Sequence, residues 1–270
     1  MNITFIGGGN MASAIIGGLL QKGWQADTIR VAEIDPGARA RVERELGVRA
    51  YADIGAAAAD SACVVLAVKP QQMREAAQAL RKALASQLVI TIAAGIRARD
   101  LSRWLGDYQR IVRAMPNTPA LVLAGVSGLY AMPAVSAADR TQAENIMGAV
   151  GSTLWLEHEE QMDAITAVSG SGPAYVFYFI EALQQAAAEL GFGAGEARRL
   201  ALDTFIGAVK LAAHSNEDAA TLRERVTSKG GTTERALNTL ETEKTRQIIA
   251  RAVRAAAERS RELGDEFGKD

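Results

Sequence analysis

The chain begins Asn2-Ile-Thr-Phe-Ile-Gly-Gly-Gly-Asn-Met-Ala12, five residues of buried-strand character running directly into a glycine turn. Ile3, Phe5 and Ile6 supply the strand, and Gly7, Gly9 and Ala12 supply a G-x-G-x-x-A spacing. Met11, Ala14, Ile15, Gly18 and Leu19 then continue at helical spacing. In this strand–turn–helix context the pattern has a mechanism. Gly7 permits the tight turn, Gly9 lets backbone approach a pyrophosphate, and Ala12 lets helix pack on strand. The helix N-terminus offers free N–H groups and a partial positive charge to the phosphates. Ile6, Gly7, Gly8, Gly9, Asn10, Met11 and Ala12 are therefore the expected first contacts of a bound dinucleotide.

Outward from that turn, strand-like segments at 2–6, 28–32, 48–51, 62–68, 88–93 and 111–114 alternate with helical stretches such as 37–46 and 71–84. Such alternation predicts an α/β fold, a doubly wound and mostly parallel sheet with helices on both faces. Segments 126–130 and 153–156 extend the sheet as edge strands, with a helix at 137–149 between them. After about residue 158 the strand pattern stops, and helices are expected at 173–190, 195–213, 219–226, 232–240 and 244–263. A chain of 270 residues is long enough for two domains. We expect a Rossmann-like dinucleotide-binding domain over residues 1–158 and a helical dimerisation and substrate domain over 159–270. The segment 173–183 is apolar nearly all the way round, so it must be buried on every side. A lone helical domain of this size surrounds one helix poorly, which points to a homodimer interface there.

Bulk composition narrows the function. With 30 basic and 31 acidic residues the net charge is −1, which supports neither a nucleic-acid partner nor an anionic membrane surface. Cys63 is the single cysteine, which excludes an intrachain disulfide and a multi-cysteine metal site. The longest apolar run, 173–180, is too short to span a bilayer, and residue 1 is not followed by a secretory pattern. A cytoplasmic enzyme is expected.

The residues just past each strand face the ligand in such a fold. Glu33 lies 21 residues after Ala12, where an acidic side chain accepts hydrogen bonds from the adenosine ribose. A carboxylate there repels a 2′-phosphate, so NAD(H) is favoured over NADP(H), with Arg30 and Arg39 close by as opposing charges. Ala67, Val68, Lys69 and Pro70 follow the fourth strand, and proline bars Lys69 from helical geometry. Ala94 and Gly95 follow the fifth, small enough for a flat ring to lie against backbone. Asn117, between two prolines after the sixth, is expected to bond a carboxamide or ribose.

Two later segments stand out. Ser169-Gly-Ser-Gly-Pro-Ala-Tyr175 reads as a flexible, hydroxyl-rich lead into the apolar helix, with Pro173 in its first turn. Thr227-Ser-Lys-Gly-Gly-Thr-Thr233 joins two helices, and the N–H groups of Gly230, Gly231 and Thr232 are expected to form an anion-binding nest suited to a carboxylate. His158 and His214 read as surface residues, and no serine–histidine–acid or metal-ligand spacing occurs. A 2-hydroxy-acid dehydrogenase, which needs a base for an alcohol proton, is therefore disfavoured.

Phe-Ile-Gly-Gly-Gly-Asn-Met-Ala, Ala-Val-Lys-Pro, Met-Pro-Asn-Thr-Pro, Ser-Gly-Ser-Gly-Pro-Ala-Tyr and Thr-Ser-Lys-Gly-Gly-Thr-Thr follow one another in this chain. In that order they resemble pyrroline-5-carboxylate reductase over essentially the whole length. The resemblance implies reduction of 1-pyrroline-5-carboxylate to L-proline by NAD(P)H, the final step of proline synthesis. It implies a helical domain interlocked with that of a second copy, an active site near that interface, and in some relatives decamers. It further implies that Ser228 and the backbone of Gly230, Gly231 and Thr232 hold the substrate carboxylate, while Thr233 bonds the ring nitrogen as the catalytic hydroxyl. Two rivals remain at this point. Another imine or β-hydroxy-acid reductase of this architecture would carry a lysine where residues 174–180 have none. A nucleotide-sensing protein would not need the 227–233 segment.

Overall fold

Runs of β-branched and aliphatic residues become the strands of one sheet. The computed structural model describes residues 1–269. The strands are β1 (Ile3–Ile6), β2 (Ile29–Ala32), β3 (Arg49–Tyr51), β4 (Cys63–Leu66), β5 (Leu88–Thr91), β6 (Ile111–Met115), β7 (Gly125–Ala131) and β8 (Gly151–Trp155). Their spatial order is β3-β2-β1-β4-β5-β6-β7-β8. The first six run parallel, β7 is antiparallel to β6, and β8 is parallel to β7. The chain works outward to β3 and then crosses back to β4, so the order reverses between β1 and β4. Every strand expected from the sequence is present to within a few residues.

The helices are α1 (Asn10–Gln21), α2 (Pro36–Leu46), α3 (Ile54–Ala58), α4 (Met73–Arg81), α5 (Ala98–Trp104), α6 (Ala137–Met147), α7 (Gln161–Ile165), α8 (Gly172–Glu189), α9 (Ala194–His214), α10 (Ala219–Arg225), α11 (Thr232–Thr242) and α12 (Thr245–Phe267). All four residues of β1, β4 and β5 are buried, because both faces of the sheet are covered. With the two-residue period of a strand, Phe5, Val65 and Ile90 join Ile15, Ile16 and Leu19 on one face. Ile6, Leu66 and Val89 join Met73, Leu80 and Leu101 on the other. Cys63 is fully buried in this core, and desolvation pushes its thiol well above the ordinary range, so it is a packing residue and not a nucleophile.

By internal contacts the chain forms two compact units, Met1–Ser171 together with the chain from Ala255 onward, and Gly172–Arg254. The expected boundary after residue 158 falls inside the first unit by this grouping. The reason is packing: Ile165 lies against Gly128 of β7, and the last turns of α12 lie against Gly95. In the second unit α8 has no buried residue, and Phe177 and Tyr178 are 65% and 70% exposed. The surround that this apolar helix requires is not supplied by its own chain. No helix among the described residues is long and apolar enough to cross a membrane.

The start of α6 is held by a reciprocal cap. Ser136 Oγ accepts from the Asp139 N–H at 3.1 Å, while Asp139 Oδ2 accepts from Ser136 N at 3.1 Å and Oγ at 2.8 Å. Arg110 Nη2 donates to Asp139 Oδ1 at 2.7 Å from the start of β6, joining helix to sheet. Burial pushes the Asp139 carboxyl up, but the hydrogen bonds from Arg110 and Ser136 outweigh it and hold the group below the usual carboxylate range. A depressed value in the folded state contributes stability above the unfolded pKa of about 4, lost as pH falls through the lower folded value. Asp139→Ala should therefore cost about 2 kcal/mol at neutral pH. In urea unfolding at several pH values, the gap between variant and wild type should close as pH approaches about 2. A gap that does not change with pH contradicts this account.

Candidate functional site

At the reversal point the backbone is crowded on one side and open on the other. Gly7 N donates to Ala32 O at 2.8 Å, and Ala67 N donates to Ile6 O at 2.8 Å, zipping the ends of β2, β1 and β4 together. Gly7 has φ +99°, and a Cβ there would stand 2.7 Å from Ala67 O, so no other residue fits. Gly9, the N-cap of α1, has no side-chain capping bond, and a Cβ built on it meets nothing within 4 Å. The N–H groups that open α1, at Asn10, Met11 and Ala12, have no intrahelical acceptor. Ala12 is 1% exposed and lets α1 lie flat on the sheet. The donor set and the open approach fit a diphosphate at the positive end of α1.

The adjoining strand ends are arranged by charge and by brace. Glu33 is not a solvated carboxylate: Oε2 accepts from Gly8 N at 2.9 Å and Oε1 from Asp35 N at 3.0 Å. Arg39 Nη1 donates to the carbonyls of Glu33 and Ile34 at 2.7 and 2.9 Å, and Arg41 Nη2 to Gly8 O at 3.3 Å. Arg30 is committed elsewhere, to the carbonyl of Ala59. Ala67 and Val68 are half-buried and Lys69 is exposed, in extended geometry ahead of Pro70. Ala94 is half-buried, whereas Gly95 is buried under Phe267 and Leu263. The last turns of α12 pack over Gly95.

Asn117 is held by two main-chain groups. It is 8% exposed, and its Oδ1 accepts from Val126 N at 2.9 Å while its Nδ2 donates to Ser169 O at 3.1 Å. The side chain braces the loop after β6. Its acceptor has a chemical origin: Pro173 lacks the N–H that would bond Ser169 O in a continuing helix. The segment from Ser169 is likewise not the flexible lead expected. Thr166–Gly170 forms a π-helical turn that continues from α7, with Ser171 N donating to Thr166 O at 2.8 Å.

In the second unit, the loop from Thr227 to Gly231 turns between α10 and α11. Gly230 has φ +74°, and its N–H donates to Glu234 Oε2 at 2.7 Å. Gly231 N donates to Ser228 O at 3.0 Å and Gly231 caps α11. Two of the three N–H groups expected to be free therefore have acceptors within the loop, while Thr232 and Thr233 open α11 with N–H groups that have no intrahelical partner. The acceptor at Gly230 is itself a carboxylate, that of Glu234. Glu234 was legible as the acidic third residue of a helix whose cap is Gly231, the position that reaches back to loop N–H groups. His158 and His214 are both exposed, and His214 Nδ1 lies 2.8 Å from Lys210 O. Among the described residues no group of three His, Cys, Asp or Glu could hold a metal ion.

Comparison with known proteins bears on this geometry. A family model described as pyrroline-5-carboxylate reductase dimerisation matches residues 159–263, and one described as NADP oxidoreductase, coenzyme F420-dependent, matches residues 2–95. The chain is 46% identical over 270 residues to a pyrroline-5-carboxylate reductase of Pseudomonas aeruginosa, covering 99% of this chain and 98% of the other. The chain belongs to the pyrroline-5-carboxylate reductase family. Of solved structures in that family, one from Coxiella burnetii matches with a TM-score of 0.92 at 42% identity, over 97% of this chain and 98% of that one. Another, the Plasmodium falciparum pyrroline carboxylate reductase with NADP bound, matches with a TM-score of 0.88 at 28% identity, over 98% of each chain. A prephenate dehydrogenase of Aquifex aeolicus shares the fold alone, at 14% identity and a TM-score of 0.55.

The Asn117 brace carries its own prediction. Asn117→Ala leaves the Val126 N–H and the Ser169 carbonyl without partners in a buried setting, and should cost about 2–3 kcal/mol in urea unfolding. A loss below about 0.5 kcal/mol would mean that water replaces the side chain and that the brace is dispensable.

Proposed function

We propose that this chain reduces 1-pyrroline-5-carboxylate to L-proline with NAD(P)H, the last step of proline biosynthesis, by hydride transfer to the protonated cyclic imine. The observation that carries the reading is 46% identity over nearly the whole chain with a reductase of this name, together with a loop whose Gly230 N–H holds the chain's own Glu234 carboxylate. When bound, the nicotinamide supplies the hydride. The imine nitrogen is basic enough to be protonated before reaction, so the protein needs no strong acid. As the C–H bond forms, the C=N π pair passes to nitrogen and leaves a neutral amine, which takes its second proton from solvent.

The protein's share is binding and orientation. Ser228 and the N–H groups of Gly230, Gly231 and Thr232 hold the substrate carboxylate, with Glu234 giving up its place on Gly230. The Thr233 hydroxyl, in the first turn of α11, bonds the ring nitrogen. On the nucleotide side, Gly7, Gly8, Gly9 and the opening N–H groups of α1 take the pyrophosphate, and Ala67, Val68, Lys69, Pro70 and Ala94 line its path. The exposed apolar face of α8 is covered by a second copy of the chain, which makes a homodimer the minimal assembly; dimers joining into decamers would be a further step.

Glu33 favours NAD(H), because its fixed carboxylate stands where a 2′-phosphate would approach, while Arg39 and Arg41 keep NADP(H) usable. Glu33→Ser should raise the ratio of kcat/KM for NADPH over NADH by about 10-fold. An unchanged ratio would remove Glu33 from cofactor choice. For the substrate side, Thr233→Ala should lower kcat about 10–100-fold in an assay of nicotinamide oxidation by pyrroline carboxylate, with the nucleotide Kd unaltered. Full turnover by that variant would exclude the hydroxyl from the reaction.

A further inference from the structure

The last turns of α12 are bolted to α7, to the turn after β5 and to α5. Ser260 Oγ, on the penultimate turns of α12, donates to Asp163 Oδ1 at 2.7 Å. Arg97 Nη2 pairs with Asp265 Oδ1 at 2.6 Å and donates to Arg261 O at 3.3 Å. Arg103 Nη2 donates to Gly268 O at 2.9 Å. These bonds come from three separate places, namely α7, the turn after β5, and α5. They bring the Phe267 ring onto Gly95, whose φ is +72°; a Cβ on Gly95 would stand 3.1 Å from Phe267 Cδ2 and 3.2 Å from Leu263 Cβ. Two further glycines suit this close fit. A Cβ on Gly264 would stand 3.0 Å from Arg97 Nε, and one on Gly268 only 2.5 Å from Asp100 Oδ2. The clamp residues from Gly264 to Gly268 lie past the end of the segment matched by the dimerisation model.

We propose that Phe267 is a positioning residue for cofactor binding: its ring clamps the Ala94–Gly95 turn in the shape that receives the flat end of the dinucleotide. This inference rests on the reading of the strand ends as the nucleotide ledge. The physical need is plain. A glycine turn has more backbone conformers open to it than a turn of any other residue, and ordering it at the moment of binding weakens affinity. Covering Gly95 with an aromatic ring removes the alternative conformers beforehand and leaves half-buried Ala94 as the accessible surface of the turn. Phe267 touches neither substrate nor cofactor; it acts through Gly95.

The test compares wild type, Phe267→Ala and Phe267→Tyr in two readouts. Amide hydrogen exchange of the cofactor-free protein should quicken at least 10-fold at Ala94–Ile96 in Phe267→Ala, with β1 and β4 unchanged, and return to wild type in Phe267→Tyr. The Kd for NADH and NADPH, followed by nicotinamide fluorescence, should rise about 5–20-fold in Phe267→Ala, while the KM for pyrroline carboxylate stays within about 2-fold. Unchanged exchange and an unchanged Kd would overturn the proposal, as would exchange that quickens across the whole sheet, since that marks a merely structural ring. If the alanine variant does not fold, Phe267→Leu carries the same comparison with an intermediate effect expected. A wild type that binds NADH without reducing pyrroline carboxylate would refute the activity and leave the clamp standing, because exchange and Kd read the clamp directly.

Discussion

The close approach of Gly7 to the Ala67 carbonyl is the constraint on which the site depends. With strand ends bonded Gly7 to Ala32 and Ala67 to Ile6, the chain has no room for a side chain at residue 7 and must leave β1 in a left-handed turn. That turn aims α1 so that its uncapped first N–H groups face outward over Gly9, where space is open. Fix the crowding on one side and the opening on the other follows. The buried runs of β1, β4 and β5 make the geometry rigid, since their side chains pack on both faces and allow no slip of register.

The parts of this arrangement that were legible in the sequence are those set by local period. Ile3, Phe5, Ile6 and the 62–68 run read as buried strands because every side chain is apolar. The glycine spacing then told where the first helix begins. What could not be read depends on partners remote in the chain. Glu33 reads as a ribose acceptor, and its oxygens also hold the Gly8 and Asp35 N–H groups. Asn117 reads as a ligand contact, and its side chain also bonds Ser169 O, 52 residues away, a carbonyl to which Pro173 can donate no N–H. Gly95 looked open because nothing in its neighbourhood announces that Phe267 returns to cover it. At each of these positions tertiary packing adds a structural task to a residue that the sequence marks as special.

The second half follows a different economy. Its helices are legible from their apolar stripes, but they leave Phe177 and Tyr178 in the open on a single chain. A family whose model for this region is described by dimerisation accounts for such a surface. The loop ahead of α11 is built from backbone donors, small hydroxyls and Lys229, and among the described residues no group of three His, Cys, Asp or Glu could hold a metal ion. That chemistry suits a substrate that arrives already activated by protonation, and it would serve poorly where a proton must be pulled from an alcohol.

The central claim is that the glycine ledge binds the dinucleotide while the Thr227–Thr233 loop grips an acid group. A crystal structure with NADH and a non-reducible proline-like carboxylate would test it most directly. The account predicts the pyrophosphate over Gly9 at the start of α1, and the analogue's carboxylate on Ser228 and the Gly230–Thr232 backbone with Glu234 displaced. An analogue bound elsewhere, with Glu234 still on the Gly230 N–H, would contradict it.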